Sequence, residues 1–283
     1  MTALGRFFRI LGEQPHPARF LVSRILMRAG ISERFSIPQN GFRLRFYPTS
    51  LSASLWVDPH SRDDDEEFLR RYLRAGDTVV DVGANVGSLT LTAASVVGST
   101  GHVYAVEAHP RTFGYLRGNV AHNAAANVTP FNTAVGKESG TLHFSDLRDD
   151  DINRVAEEGG GITVPVARAD ELPVREGGVA LLKVDVEGYE WFVFQGATAL
   201  LARTECVYYE SYEPWFARFG YTTGDVLREL AGQGFTVLHA VGEGEWAPVP
   251  PGHTSTTLDN LVAARDPRAV AARAGMRLRA MDT

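Results

Sequence analysis

The chain has 283 residues, 44% hydrophobic and 22% charged, with a formal net charge of −6. That apolar content suffices for one large domain or two small ones, and the charge gives no support to a nucleic-acid partner. Cys206 is the only cysteine, so no intrachain disulfide forms and a reducing cytoplasm is the expected setting.

In chain order, residues 4–29 carry two short helical patterns separated by Pro15-His16-Pro17. The apolar run FLVSRILM is interrupted by Arg24 and flanked by Arg19 and Arg28. It is too short to span a membrane and lacks a signal-peptide cleavage site, so no integral membrane segment and no secretory signal are expected. Its basic character suits an anionic membrane surface, but a solvated helix face beside the core is the preferred reading. FRLRFYP and SASLWVD, between residues 42 and 57, alternate apolar and polar, which predicts a strand pair around Pro48-Thr49-Ser50. DDDEEFLRRYLR predicts a helix with Phe68, Leu69, Tyr72 and Leu73 on one stripe. Its acids fall in the first turn, its arginines in the last, and Glu66–Arg70 and Glu67–Arg71 stand at i,i+4. Helix electrostatics therefore explains that acidic run better than a metal site does.

From residue 78 strands and helices alternate. TVVDV, HVYAVE and VTPFNTAV read as strands, with helices over about 88–97 and after Pro110, where Phe113, Leu116 and Val120 mark the apolar face. Residues 140–172 are less regular: strand GTLHF, an acidic loop Asp149–Asp151, a flexible EEGGG, then strand ITVPVA. Next come strand VALLKVDV, a helix over 189–201, strand CVYYE, a helix over 223–232 with a Thr222/Asp225 capping box, and strands FTVLHAV and LDNLVAAR. Residues 266–283 predict a peripheral terminal helix. The alternation predicts an α/β, doubly wound parallel sheet. It divides the chain into an N-terminal helix and hairpin extension (1–75), a main domain (76–265) and a tail (266–283).

TVVDVGANVGS, residues 78–88, is the most informative stretch. A buried strand runs into Asp81, Gly83, Ala84, Asn85 and Gly87, and a helix follows at once. This is how a parallel sheet opens a nucleotide-type pocket. The dinucleotide pattern G-x-G-x-x-G has Asn85 at its second glycine, and the next strand ends in Glu107, an acid able to accept from ribose hydroxyls. Glycine turn followed by strand-end acid fits S-adenosylmethionine (SAM) better than a nicotinamide dinucleotide. Ligands bind at the carboxyl ends of such strands, where Ala108, Asn132, Thr133, Ala134 and Asp185 join that set. Lys183, Asp185 and Glu187 share one strand face, and Glu210 ends the neighbouring strand. These four are the candidate catalytic residues, with Lys183 equally readable as a structural partner of Asp185. His109 and His143 are weaker candidate bases, and Trp56, Tyr208, Tyr209, Tyr212 and Trp215 either stack on an acceptor or fill the core.

Together DVGANVG, VEAHP and LLKVDVEGYE resemble the FkbM family of SAM-dependent methyltransferases over roughly residues 76–265. This chain departs at Ala108-His109-Pro110, where the family often has Pro directly after the acid, and at Ala169-Asp170, where it often has Leu-Asp. The resemblance implies a seven-stranded, Rossmann-like class I methyltransferase sheet with its last strand reversed. It also implies SAM as donor and an oxygen nucleophile on a sugar or polyketide-like natural product. Glu107 is then expected on the ribose, Asn132 to Ala134 beside the adenine, and Asp185, Glu187 or Glu210 as the base. The alternative to a base is Mg2+ held by those three acids, whose charge would acidify a bound hydroxyl. A homo-oligomer is compatible with this reading. The rivals are a nicotinamide-dependent oxidoreductase, a nucleic-acid methyltransferase, disfavoured for want of an Asn-Pro-Pro-Tyr or Pro-Cys motif, and a non-catalytic SAM-binding module.

Overall fold

The computed structural model describes residues 12, 14–144 and 161–279. The helical pattern before residue 14 (apart from Gly12), the acidic loop Asp149–Asp151, the glycine run up to Gly160 and the last four residues of the tail lie outside them.

The N-terminal part consists of α1 (Pro17–Arg28), β1 (Ser36–Pro38), β2 (Arg43–Arg45), α2 (Ser50–Val57) and α3 (Asp63–Tyr72). The predicted strand pair of residues 42–57 is corrected here. β2 pairs backwards with β1, Leu44 opposite Ile37, and residues 50–57 are helical. Thr49 decides this: its hydroxyl accepts the Ser52 N–H at 3.0 Å, an N-cap that starts a helix where alternation suggested a strand. Leu55 then drops into a small core with Leu26, Ile37, Leu44 and Phe46, closed from the main domain by Leu91. The predicted α3 is present. Phe68, Leu69 and Tyr72 are buried, and the Glu66–Arg70 and Glu67–Arg71 pairs form.

The main domain contains β3 (Thr78–Val82), α4 (Ser88–Val97), β4 (His102–Val106), α5 (Pro110–His122), β5 (Val128–Phe131), β6 (Ala134–Val135), β7 (Gly140–Phe144), β8 (Ile162–Ala167), β9 (Val179–Val184), α6 (Glu190–Gln195), α7 (Thr198–Ala202) and β10 (Thr204–Ser211). After these come α8 (Glu213–Phe216), α9 (Thr223–Gly232), β11 (Thr236–Gly242), β12 (Glu245–Pro248), β13 (Asp259–Ala264), α10 (Pro267–Ala274) and β14 (Arg277–Leu278). The large sheet runs β5-β4-β3-β9-β10-β13-β11-β12-β14. The first seven of these make the expected doubly wound core, with β13 reversed against both neighbours. Strands β12 and β14 widen the sheet to nine. Both faces are covered by helices, so β3 and β9 are buried at every position. β6, β7 and β8 form a separate three-stranded sheet.

Two further expectations are revised. The helix over 189–201 is two helices, because Gly196 lies so close to the Gly136 carbonyl that a Cβ would come within 2.0 Å of its oxygen. The capping box at Thr222 and Asp225 is formed. The segment after residue 265 is not peripheral: Val270, Ala271 and Ala274 are buried, and β14 pairs with β12 at the sheet edge. Arg273 fastens it, ion-pairing with Asp77 and with Glu205, donating to the Tyr72 carbonyl at 2.8 Å and lying over the Tyr72 ring. Arg273→Ala should therefore lower stability by about 1–3 kcal/mol, read as a lower urea midpoint with an unchanged slope.

Candidate functional site

The carboxyl ends of β3, β4, β9 and β10 open onto one cavity of about 420 Å3, within the range of about 300–1,000 Å3 usual for small-molecule sites. Its floor is an ionic cluster. Asp81 on β3 is the register partner of Lys183 on β9, so the two side chains stand side by side on one sheet face. Lys183 Nζ lies 3.1 Å from Asp81 Oδ1, 3.4 Å from Asp185 Oδ2 and 2.8 Å from the Gly83 carbonyl oxygen, to which it donates. The Thr90 hydroxyl closes the cluster, donating to Asp81 Oδ2 at 2.6 Å. Burial works against the Lys183 ammonium, but the two carboxylates outweigh it and hold its pKa above the ordinary lysine value. Lys183 stays charged and ties the ends of β3 and β9 together.

Gly83 joins the two loops. Its φ is +83°, and a Cβ there would come within 1.8 Å of the Asp185 carbonyl oxygen, so only glycine lets the β3 and β9 ends meet. The next residues curl around Glu107. Its Oε2 accepts the Asn85 N–H at 2.9 Å and its Oε1 the His109 N–H at 2.8 Å. These two bonds fix the carboxylate at the cavity wall. Asn85 adopts φ 50°, a left-handed conformation that asparagine tolerates better than most residues.

Of the sequence-predicted cofactor set, Gly83, Ala84, Asn85, Glu107, Ala108, Thr133, Ala134 and Asp185 line this cavity. Asp81 lies beneath it in the ion cluster. Gly87 begins α4 and faces Leu116. Asn132 braces the β4 loop from behind, its amide donating to the carbonyls of Glu107 (2.9 Å) and Ala108 (3.1 Å). Lys183, Asp185, Glu187 and Glu210 are brought together at the rim. Of the histidines, buried His109 lines the cavity and N-caps α5. None of the five suspected aromatics is among the lining residues; Phe144 and Tyr189 are.

Three side chains outside the predicted set shape the site. Glu190 is fully buried and its Oε1 accepts the Val186 N–H at 3.0 Å and the Gly188 N–H at 3.4 Å. This organises the turn in which Glu187 takes φ 57°, an uncommon conformation for a non-glycine residue at a pocket. The other two, Arg62 and Asp65, come from the N-terminal part. Arg62 Nε donates to Asp65 Oδ2 at 3.0 Å, and its Nη2 stands 2.9 Å from Asp65 Oδ2 and 3.7 Å from Asp185 Oδ2. Asp65 Oδ1 in turn accepts the Tyr208 hydroxyl (2.5 Å) and the Asn260 amide (2.9 Å). Reading the acidic run as helix electrostatics missed this role. The signal for it is Asp65 falling on the same buried helix face as Phe68, Leu69 and Tyr72.

The carboxylates divide into unlike states. Burial alone would raise the Asp185 carboxyl, yet Lys183 and Arg62 outweigh it and hold it below the ordinary aspartate value. Glu210 is pushed up to about 10 by burial and by the charges of Asp185, Glu187 and Glu190, so it carries its proton at neutral pH. Mg2+ does not fit this donor set, because Asp185 is already engaged by the Lys183 ammonium and the Arg62 guanidinium. Among the described residues no three His, Cys, Asp or Glu side chains are grouped to hold a metal ion. Nor does any described helix have the length and apolarity to cross a membrane.

A family model described as Methyltransferase FkbM domain matches residues 81–237, just over half of the chain. No curated protein matches the sequence. Among solved structures, the chain is similar to methyltransferase FkbM from Methylobacillus flagellatus KT, with 14% identity and a TM-score of 0.44 over 76% of this chain and 55% of that one. It is similar to a SAM-dependent methyltransferase from Aquifex aeolicus, with 18% identity and a TM-score of 0.45 over 73% and 93% of the two chains. It is also similar to Aeropyrum pernix fibrillarin in complex with natively bound S-adenosyl-L-methionine, with 15% identity and a TM-score of 0.41 over 71% and 74%.

Two titrations test these electrostatics. Arg62→Gln should move the Asp185 carboxyl upward, observed as its 13C-carboxyl NMR titration, which Asp185→Asn assigns. Burial pushes the Glu190 carboxyl from 4.5 to about 7. Its stabilising contribution is thus complete below pH 4.5, where the unfolded chain is also protonated, and is lost as pH rises through about 7. The loss is on the order of 3 kcal/mol. Glu190→Gln should flatten that part of the urea-midpoint profile between pH 5 and 8 relative to the unsubstituted chain.

Proposed function

The chain belongs to the methyltransferase FkbM domain family, and on that footing we propose that it moves a methyl group from SAM to a hydroxyl oxygen of a small sugar or natural product. The observation that carries this reading is Glu107, a strand-end carboxylate held by two backbone N–H groups beside the Gly83–Asn85 turn. A ribose with two vicinal hydroxyls suits such an acceptor. Thr133, Ala134 and Phe144 offer a small, mostly apolar wall for the base. Asp185 and Glu187, which also line the cavity, give a negative environment suited to a sulfonium.

Bound SAM supplies a methyl group that is already strongly electrophilic, so the protein's work is alignment and the handling of one proton. Lys183 keeps Asp185 ionised and aimed. Glu210 takes the acceptor's proton: with the sulfonium bound, its own proton leaves to solvent, and repulsion from Asp185 and Glu187 makes the resulting carboxylate a strong base. It accepts the hydroxyl proton as the O–CH3 bond forms and the S–CH3 bond breaks, and gives it to solvent when S-adenosylhomocysteine leaves. The N-terminal residues Ser50, Ser54, Ser61 and Arg62, together with Asn260, wall the acceptor side. Hydroxyls, an amide and a guanidinium there suit a polyhydroxylated molecule better than a flat apolar one.

Calorimetric titration with SAM and with S-adenosylhomocysteine tests the reading. Binding of both is expected, with a loss of at least tenfold in Glu107→Ala; equal affinity in that variant would overturn the assignment. Asp185→Asn should lose turnover more than SAM affinity on whichever hydroxylated acceptor a panel of sugars and natural products identifies.

A further inference from the structure

Helix α1 lies beside the core with one face exposed, as the sequence suggests, but the exposed face carries an apolar strip. Ser23 and Leu26 point inward, and Met27 packs on the cluster of Leu26, Ile37 and Leu55. The outer face is apolar and uncovered among the described residues: Leu21 is 36% exposed, Val22 43% and Ile25 65%. With 3.6 residues per turn, Leu21, Ile25, Ala18 and Val22 fall within an arc of roughly 100°. Exposed Arg28 and Arg24 border that arc on one side, and exposed Arg19 stands beyond Leu26 on the other, in the first turn of the helix. The helix Pro17–Arg28 holds no acidic residue, in a chain whose net charge is −6; the nearest described acid is Glu33, beside Arg34. An overall acidic protein thus concentrates positive charge around its most exposed apolar strip.

We propose that this face of α1 docks on an anionic lipid surface. The charge pattern selects that occupant. A helix about 18 Å long lying flat would sink Leu21, Val22 and Ile25 among the acyl chains. Arg24 and Arg28 along the strip's border, and Arg19 in the first turn, would reach up on long flexible stems to the lipid phosphates. A neutral protein partner would satisfy the apolar strip and leave the arginines without counter-charge. The placement relative to the site is favourable too. The core beneath α1 also receives Leu51 of α2, and Leu51 lines the cavity, so the docked face and the acceptor wall belong to one packed unit. The proposal is independent of the methyl-transfer reading.

The test is co-sedimentation of the full chain with phosphatidylcholine vesicles, with and without phosphatidylglycerol, at low and high salt. Binding is expected only with phosphatidylglycerol, weakened by salt, and reduced at least fivefold both by Ile25→Asp and by joint replacement of Arg19, Arg24 and Arg28 with Gln. Ile25 is two-thirds exposed, so Ile25→Asp should melt at the same temperature as the unsubstituted chain, and S-adenosylhomocysteine affinity should be the same in all forms. No binding to either vesicle, or equal binding by Ile25→Asp, overturns the proposal. So does a dimer that Ile25→Asp converts to monomers in analytical ultracentrifugation without any vesicle binding, since a second copy would then be the occupant.

Discussion

The site depends on one buried ammonium. Lys183 sits at the centre of the sheet, between a carboxylate of its own loop and one of the neighbouring strand. A charge at that depth is tolerable only because its donors are spent on Asp81, Asp185 and the Gly83 carbonyl. In return it fixes the relative positions of the β3 and β9 ends, between which Gly83 and Asp185 touch backbone to backbone. Every rim feature inherits that geometry: the Asn85 turn around Glu107, the exit of Asp185 into the cavity, and the bend that carries Glu187 into a left-handed conformation.

The same arrangement separates two acids that look equivalent in the sequence. Asp185 faces two cations and remains an anion. Glu210, one strand further along and opposite Asn260, faces mainly other acids and remains neutral. Strand periodicity puts Lys183 beside Asp185 but does not show the second cation, Arg62, a residue 123 positions before Asp185 in the chain and on another element. Arg62 reaches the rim only because Asp65 is itself secured by Tyr208 and Asn260.

What was legible in the sequence was whatever local patterns encode. β3 and β9 are continuous apolar runs, α3 has a clean stripe with dipole-matched charges, and Thr222 with Asp225 spells out a helix start. The glycine turn and Glu107 were recognisable because spacing along one βα unit is a local property. The failures have a common origin in contacts between distant segments. Residues 50–57 alternate like a strand, but a single hydroxyl at Thr49 and the core under Leu55 make them a helix. The helix over 189–201 breaks because a carbonyl from residue 136 occupies the space beside Gly196. Asn132 was placed in the pocket by its position after β5, whereas its amide turns back to hold the β4 loop. Arg273 ties the chain's last helix to Tyr72 and Asp77, a link for which the Ala- and Arg-rich composition gave no hint.

The position of β13 has a consequence for how the protein comes into being. This strand lies between β10 and β11 yet follows both in the chain, so the sheet has a slot in its middle until residues 259–264 have emerged from the ribosome. Before then β11 has no hydrogen-bonding neighbour on the β10 side, and two unfilled strand edges face one another across the gap. The final insertion joins segments far apart in the chain, a topology that folds slowly and leaves sticky edges open meanwhile. The middle of the sheet thus closes only once both flanking strands have been made, with β13 set between them as a keystone.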